Sequence, residues 1–337
     1  MMDFGQIQAI RRVVRRLHVG LHPPQRDDLS EILFAAQDAL NHEDPSFRPR
    51  DHQGRPGGLL LLNPHLYTIV VPDLHARTGF LDALLDWSWE GATLLEGLAQ
   101  NKVQVLCVGD GFHSEARGAE RWKLAWEECL GGFAIHDHMD AEMRESLGLM
   151  SMVMILKAAF PQNFHFLKGN HENIQNRDSG GDKPFGKYAC EGLMVREWFL
   201  RFYGEELLHD WGEFEQSLPL LGVGERFLVS HAEPRNFHSR DEVIEYRDDA
   251  NLVYDFTWTG NGEAEDGSVE AMLHHYLGTD SAKGLYFGGH RPIAGRFGLR
   301  AEGRYVQIHN PDQRIIAVLA PGADPDPQND VLDLDEW

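Results

Sequence analysis

The sequence predicts an α/β fold, and two observations lead to that prediction. Short apolar runs rich in β-branched and aromatic residues recur along the chain, and stretches with helical periodicity separate several of them. Strands that alternate with helices in this way are typical of α/β architectures. The runs predicted as strands are residues 67–71, 103–108, 164–167, 227–229, 285–287, 305–308 and 315–319.

Helical patterns and loops account for the remaining chain. Residues 1–58 are interpreted as a helical N-terminal extension, with two amphipathic stretches and a closing loop rich in Pro, Gly and Arg. The main domain is predicted at 59–320, with helices over 119–130 and 146–160. The acidic stretch 321–337, rich in Pro and Asp, is interpreted as a solvated tail.

The composition of the 337 residues narrows the classes of function. The chain is 42% hydrophobic and has no apolar run near the length of a membrane span, so we expect a globular protein without a membrane partner. A formal net charge of −22 disfavours nucleic acid as a partner, because it would repel a phosphate backbone. The three cysteines are widely spaced and form no disulfide framework or CxxC pair, which favours a reducing, cytoplasmic setting.

Five short polar segments each follow a predicted strand. Open α/β sheets place their ligands at the carboxyl ends of strands, because the loops there converge on one crevice. Carboxylate, imidazole and amide oxygen donors suit divalent metals such as manganese, iron or zinc. With one bridging carboxylate, two such ions can lie roughly 3.5–4 Å apart. The segments are Asp73-Leu74-His75, Gly109-Asp110, Gly169-Asn170-His171-Glu172, His231 and Gly288-Gly289-His290.

In this order the segments resemble the calcineurin-like metallophosphoesterase superfamily. The run Gly-Asn-His-Glu, rather than Gly-Asn-His-Asp, is similar to the Ser/Thr protein phosphatase (PPP-type) branch. The resemblance covers roughly residues 67–319. It implies a two-sheet β-sandwich flanked by helices, in four layers, with a dimetal site at the edge of the sheets.

The resemblance also implies a role for each matching residue. The six metal ligands would be Asp73 and His75 for the first ion, Asp110 between the two ions, and Asn170, His231 and His290 for the second. The cofactors would be two divalent ions, with manganese favoured and iron or zinc as alternatives. A metal-bound hydroxide would attack the phosphorus, and His171 would protonate the leaving alkoxide as general acid.

The second segment departs from the pattern of the phosphatase branch, which reads Gly-Asp-x-x-Asp-Arg-Gly. Here His113 stands where a carboxylate that orients the catalytic histidine is expected, and Ser114 replaces a phosphate-binding arginine. Glu115 and Arg117 are candidates for supplying the missing groups. These differences bear on substrate specificity more than on metal-dependent chemistry.

Four further residues have candidate roles around the ligands. Arg117 and Arg291 are candidate phosphate contacts, and Glu172 is interpreted as a brace for its loop. His309 is interpreted as a core residue or as one that orients a ligand.

The leading hypothesis is a phosphatase that hydrolyses phosphomonoesters, with Ser/Thr phosphoproteins as substrates. The first alternative is a small-molecule phosphoesterase, such as a dinucleoside polyphosphate hydrolase. A second alternative, from another class, is a catalytically weak metal-binding scaffold, which the altered second segment favours. A nuclease is disfavoured by the charge of −22. The oligomeric state is left open.

Overall fold

The computed structural model describes residues 2–336. Its helices are α1 Phe4–Val19, α2 Arg26–Asn41, α3 Thr78–Asp86, α4 Leu94–Ala99, α5 Ala119–Leu130, α6 Asp137–Ala159, α7 Glu191–Tyr203, α8 Glu205–Gln216, α9 Arg240–Ile244, α10 Ala250–Thr257, α11 Ser268–Leu277 and α12 Pro327–Asp330. Its strands are β1 Leu59–Leu61, β2 Tyr67–Val71, β3 Ser88–Trp89, β4 Ala92–Thr93, β5 Val103–Cys107, β6 Phe164–Phe166, β7 Leu221–Val223, β8 Phe227–Ser230, β9 Leu285–Gly288, β10 Gly298–Arg300, β11 Tyr305–Gln307, β12 Ile315–Leu319 and β13 Val331–Asp333.

Two main sheets form the centre of the fold. One has the strand order β13-β12-β2-β5-β6, and the other has the order β1-β7-β8-β9-β11-β10. Within the first sheet β2, β5 and β6 are parallel, and within the second β8, β9 and β11 are parallel. Parallel neighbours end at the same edge of a sheet, so each sheet delivers three loops to one edge. The predicted α/β fold with two sheets flanked by helices is confirmed.

The side chains of the central strands alternate between two hydrophobic clusters. Val70 and Leu106 point into a cluster shared with Val229 and Phe287 of the other sheet. Their neighbours, such as Val105, belong to the cluster that the helices form on the outer face. Both faces of these strands are therefore buried, which is why the sequence shows them as continuous apolar runs.

The two helices of the predicted extension pack against the main domain. Helix α1 contacts α3 and α6, and α2 contacts α6 and α8. Val14 and Leu33 lie in the same buried cluster as residues of α6. A buried ion pair fixes the following loop, since Glu43 accepts a hydrogen bond from Arg48 at 2.6 Å and also contacts Lys157. The domain boundaries at residues 58 and 320 stay predictions.

The prediction of a solvated tail is wrong for residues 331–334. Strand β13 pairs antiparallel with β12, and the side chains of Val331 and Leu334 are buried. Val331 packs in the cluster between the sheets and Leu334, just after the strand, packs in the cluster of the helices, although the stretch around them is acidic. Among residues 2–336, no helix combines the length and the apolar character needed to cross a membrane.

Candidate metal centre

Six strand ends bring their loops to one place between the two sheets. Four polar residues in these loops have left-handed backbone conformations, which are uncommon for non-glycine residues. They are His75 (φ 41°), Asp110 (φ 53°), His113 (φ 65°) and His290 (φ 65°).

The donors form two clusters, which are named after the predicted first and second ions. The second cluster consists of Asp110, Asn170, His231 and His290. Nε2 of His231 lies 3.0 Å from Oδ1 of Asn170 and 3.1 Å from Nδ1 of His290. The same nitrogen lies 3.4 Å from Oδ2 of Asp110. Nδ1 of His231 lies 3.1 Å from the carbonyl of Val108 and donates to it, which leaves the lone pair of Nε2 facing the cluster.

The first cluster consists of Asp73, His75, Glu115 and His309. Nε2 of His75 is buried without a hydrogen-bond partner and lies 3.7 Å from both Glu115 Oε2 and Asp110 Oδ2. Nδ1 of His309 lies 3.1 Å from Asp73 Oδ2, and its Nε2 lies 3.5 Å from Glu115 Oε2. Asp110 is therefore shared between the two clusters.

The electrostatics of these residues suit a bound cation. Burial lowers the pKa of His75 and of His231 to about 4, so both imidazoles are neutral at pH 7 and can bind metal. Burial also raises the pKa of Asp110 well above its ordinary value, and the nearby carboxyls of Asp73 and Glu172 add to the rise.

Burial alone would raise the pKa of Asp73, but the surrounding imidazoles bring it below its ordinary value. Among the described residues, no Lys or Arg side chain lies within 4.0 Å of the carboxylates of Asp73 or Asp110. Carboxylates buried without a cationic side chain need another source of positive charge. The donor set of carboxylates, imidazoles and one amide oxygen fits divalent metal ions.

Glu172 ties the loops after β5 and β6 together. Its buried carboxylate accepts backbone N–H groups from Gly169 at 2.7 Å and from Asp110 and Gly111 at 2.8 Å each. The loops meet so closely that a Cβ on Gly109, which has φ 112°, would lie 2.5 Å from the nitrogen of Gly169. The position of Asp110 thus depends on a glycine and on a buried acceptor in the neighbouring loop.

Asp73 is held in a similar way from the other sheet. The backbone N–H of His290 donates to Oδ1 of Asp73 at 3.0 Å. A Cβ on Gly289 would come within 2.2 Å of the same carboxylate, so only glycine leaves room for it there. This contact joins the loop after β2 to the loop after β9.

His171 lies beside the shared carboxylate and pairs with a second histidine. Its Nε2 lies 3.8 Å from Oδ2 of Asp110, and its Nδ1 lies 2.8 Å from Nδ1 of His113. The ring of Phe185 covers both imidazoles, with its centroid 3.9 Å from that of His171. Burial lowers the pKa of His113 to about 3 and that of His171 well below its ordinary value. A neutral imidazole therefore occupies the place where the sequence pattern led us to expect a carboxylate.

Ser114 and Arg117 of the altered segment form hydrogen bonds with residues outside it. The backbone N–H of Ser114 donates to Glu142 at 2.8 Å, and Nη2 of Arg121 donates to the hydroxyl of Ser114 at 2.9 Å. Arg117 donates to Glu145 at 2.5 Å and to the carbonyl of His75 at 3.2 Å. Its guanidinium is thus engaged by the protein.

The structure brings every predicted site residue to this region. The six predicted ligands meet in the two clusters, with His171, His113 and Glu172 against them. Arg117 lies behind His75, and Arg291 is exposed directly after His290. The roles of all these predicted site residues stay predictions.

Phe185 and Lys187 were not predicted at the site, and His309 was expected there only as a core residue or as one that orients a ligand. His309 follows β11 as the predicted ligands follow their strands, so its place in the sequence was a usable signal. Phe185 and Lys187, which donates to Glu115 Oε1 at 3.0 Å, lie in an irregular loop where the sequence offers no such signal.

Comparisons with known proteins bear on both the fold and the family. The structure is similar to a protein serine/threonine phosphatase from Saccharomyces cerevisiae that is described as similar to human phosphatase PP5. The TM-score is 0.52 and the identity 14%, over 92% of this chain and 89% of that one. It is also similar to a cold-active protein-tyrosine phosphatase of a psychrophilic Shewanella species, with a TM-score of 0.41 and 12% identity over 78% of this chain and 77% of that one.

At these identities the structural likeness concerns the fold. No curated protein matches the chain in sequence. A family model described as calcineurin-like phosphoesterase matches residues 66–316, which include every residue of both clusters. The chain therefore belongs to the calcineurin-like phosphoesterase family.

Proposed function

We propose that the protein is a dimetal-dependent phosphatase that hydrolyses phosphomonoesters, with Ser/Thr phosphoproteins as its substrate class. The observation that carries the proposal is the meeting of two donor clusters at one carboxylate, Asp110. His75 of the first cluster lies 3.7 Å from Oδ2 of that carboxylate, and His231 of the second cluster lies 3.4 Å from the same oxygen. An acidic residue shared in this way is the arrangement that two neighbouring ions require.

The geometry supports the ligand assignments that the resemblance implies. Asp73 and His75 would hold the first ion, Asn170, His231 and His290 would hold the second, and Asp110 would contact both. Two divalent ions in such a site supply positive charge to the phosphoryl group and lower the pKa of a water molecule towards neutrality. We favour manganese, with iron or zinc as alternatives, because the donors are nitrogen and oxygen atoms without thiolate.

His171 would supply the proton to the leaving oxygen once the negative charge of a bound phosphate has raised its pKa, which burial and the neighbouring histidines lower. Its Nε2 faces the shared carboxylate, 3.8 Å from Oδ2 of Asp110, while its Nδ1 faces His113. His113 would hold the ring through the contact between the two Nδ1 atoms. A positioned acid of this kind accelerates the loss of a poor leaving group such as a serine alkoxide.

The substrate class rests on the resemblance of the sequence segments to the Ser/Thr phosphatase branch. The cysteine usage supports a reducing, cytoplasmic setting. Because the chain carries a net charge of −22, the positive charge that an anionic phosphate monoester needs would come from the metal ions. Arg291 is exposed beside the second cluster and is available to a bound phosphate. Arg117 could join it only by leaving Glu145.

The test is hydrolysis of p-nitrophenyl phosphate by metal-stripped protein with and without added manganese. We expect turnover only with the metal. A panel of phosphoserine peptide, phosphothreonine peptide, dinucleoside polyphosphate and mononucleotide then ranks the substrate classes by kcat/KM. Preference for the dinucleoside polyphosphate would replace our substrate class with the small-molecule alternative. Two bound ions without hydrolysis of any ester would favour a metal-binding scaffold, in which His113 has removed the acid function.

A further inference from the structure

We propose that Glu115 and His309 are additional ligands of the first ion, which is then held by five protein side chains. The inference rests on the proposed metal pair but goes beyond the six ligands that the sequence segments imply. The set would be Asp73, His75, Asp110, Glu115 and His309, against four ligands for the second ion. One consequence is that the two ions differ in affinity.

His309 provides the first observation. Its side chain is fully buried, and neither ring nitrogen has a hydrogen-bond partner among the described residues. Leaving a buried polar atom without a partner costs roughly 1–3 kcal/mol. Both nitrogens face carboxylate oxygens, Asp73 Oδ2 at 3.1 Å and Glu115 Oε2 at 3.5 Å. A cation beside Glu115 and His75 would bind Nε2, and the proton would then lie on Nδ1, which can donate to Asp73.

Glu115 provides the second observation, and it comes from a different part of the fold. Its Oε2 lies 3.7 Å from Nε2 of His75, a nitrogen that is also buried without a partner. Its Oε1 accepts a hydrogen bond from Lys187 at 3.0 Å, which leaves Oε2 directed into the first cluster. Donor atoms that each lie about 2.1 Å from one ion are separated by roughly 3–4 Å, and these spacings fall in that range.

The orientation of His75 limits the position of the ion. Nδ1 of His75 lies 3.4 Å from the carbonyl of Phe112 and is directed to it, so Nε2 is the nitrogen available to a metal. That nitrogen is equally distant from Asp110 and Glu115. The ion that contacts His75 and the shared carboxylate is thus the one that Glu115 and His309 can reach.

The extra ligands predict which ion is bound more tightly. The first cluster would contribute two carboxylates of its own besides Asp110, whereas the second contributes an amide oxygen and two imidazoles. Affinity for a divalent cation rises with the number of charged ligands. We therefore expect a chelator to remove the ion of the second cluster first and to leave one ion bound.

The experiment measures metal content and affinity rather than turnover. Full-length protein is dialysed against graded chelator, its manganese content is measured by mass spectrometry, and each dissociation constant is obtained by titration. Glu115→Gln and His309→Ala are expected to weaken the tighter ion by more than roughly 100-fold, because removal of a residue that only positions a ligand costs 10–100-fold. His290→Ala should weaken the other ion instead, and His274→Ala, on an exposed helix surface, should change neither.

Two outcomes would overturn the inference. One is a tight ion with unchanged affinity in both Glu115→Gln and His309→Ala. The other is a visible spectrum of the cobalt-substituted protein that Glu115→Gln leaves unchanged. Since Glu115 is in a partly exposed loop, this variant decides the matter even where His309→Ala fails to fold. If wild-type protein hydrolyses p-nitrophenyl phosphate with manganese, the proposed function stands whatever these variants show. If wild-type protein binds no metal, the proposed function itself is wrong.

Discussion

The two clusters of the metal centre are built in different ways. Each donor of the second cluster lies within four residues of the end of a buried strand. The closest donor atoms of different residues in this cluster are 2.9–3.4 Å apart. The first cluster takes Glu115 from the irregular loop beyond β5, where the donor atoms are 3.5–3.7 Å apart. Strand ends fix a side chain through the neighbouring ladder, whereas a loop leaves it adaptable.

This difference separates a preorganised part of the site from an adjustable one. In the second cluster the tautomer of His231 is fixed by a carbonyl, and the backbone of Asp110 is fixed by Glu172. In the first cluster Glu115 is held by Lys187, whose side chain is about half exposed. An exposed ion pair of that kind is worth little. Under the proposed function, the second cluster would therefore fix the position of its ion, whereas the first cluster could adjust.

The largest effect is expected from the residue that both clusters share. Asp110→Asn removes a charge that two ions would require, so we expect kcat for p-nitrophenyl phosphate to fall by roughly 10²–10³-fold or more. Metal analysis should show that both ions are weakened. The control is Asp266→Asn, which changes an exposed carboxylate far along the chain. Near-normal turnover of Asp110→Asn would contradict the shared role and leave the clusters independent.

On p-nitrophenyl phosphate a smaller effect is expected at His171, whose replacement should act selectively on substrates with poor leaving groups. For a phosphoserine peptide, His171→Ala should lower kcat by roughly 10²–10⁴-fold, because the serine alkoxide needs a proton as it leaves. For p-nitrophenyl phosphate the loss should be less than about tenfold, because nitrophenolate is a good leaving group. His65→Ala, at an exposed position, is the control. Equal losses on both substrates would mean that His171 positions the clusters and is no acid.

Much of this comparison could be predicted from the sequence. Strands Tyr67–Val71 and Ile315–Leu319 have the predicted bounds. A strand that is buried on both faces appears in the sequence as a continuous apolar run, and the ends of the run mark the ends of the strand. Strands β7 and β10 were missed, because a strand of three residues is too short to show a recognisable pattern of apolar and polar residues. Helix α6 begins at Asp137, nine residues before the predicted start, because its first turns are polar.

The parts that could not be predicted are those that depend on tertiary contacts. His309 was open to prediction by its position after a strand, yet a lone histidine in a run of apolar residues also fits a core position. Nothing in the sequence places Glu115 against His75, because the loop between β5 and α5 has no periodic pattern. The pairing of His113 with His171 likewise depends on how the loops after β5 and β6 approach each other.

Glu172, which holds the loops after β5 and β6 together, can be tested through the stability of the protein. Glu172→Gln replaces one of two oxygens that accept three backbone N–H groups by an amide that cannot accept them. We expect the free energy of unfolding of metal-free protein to fall by about 1–3 kcal/mol in urea. Glu213→Gln, on an exposed helix surface, should leave it unchanged. An unchanged midpoint in Glu172→Gln would show that the loops after β5 and β6 do not depend on this carboxylate.

The smallest effects are expected from two arginines that differ in their surroundings. Arg291 is exposed, and in the described part of the chain its side chain forms no ion pair, whereas Arg117 is engaged by Glu145 and by the carbonyl of His75. Arg291→Ala should therefore raise KM for a phosphomonoester about two- to fivefold with kcat unchanged, as expected for an exposed charge pair worth at most about 1 kcal/mol. Arg117→Ala should leave KM within about twofold. The reverse result would mean that Arg117 leaves Glu145 when phosphate binds. The loop that carries Glu115 would then rearrange with substrate, and the first cluster would be adjustable during the reaction itself.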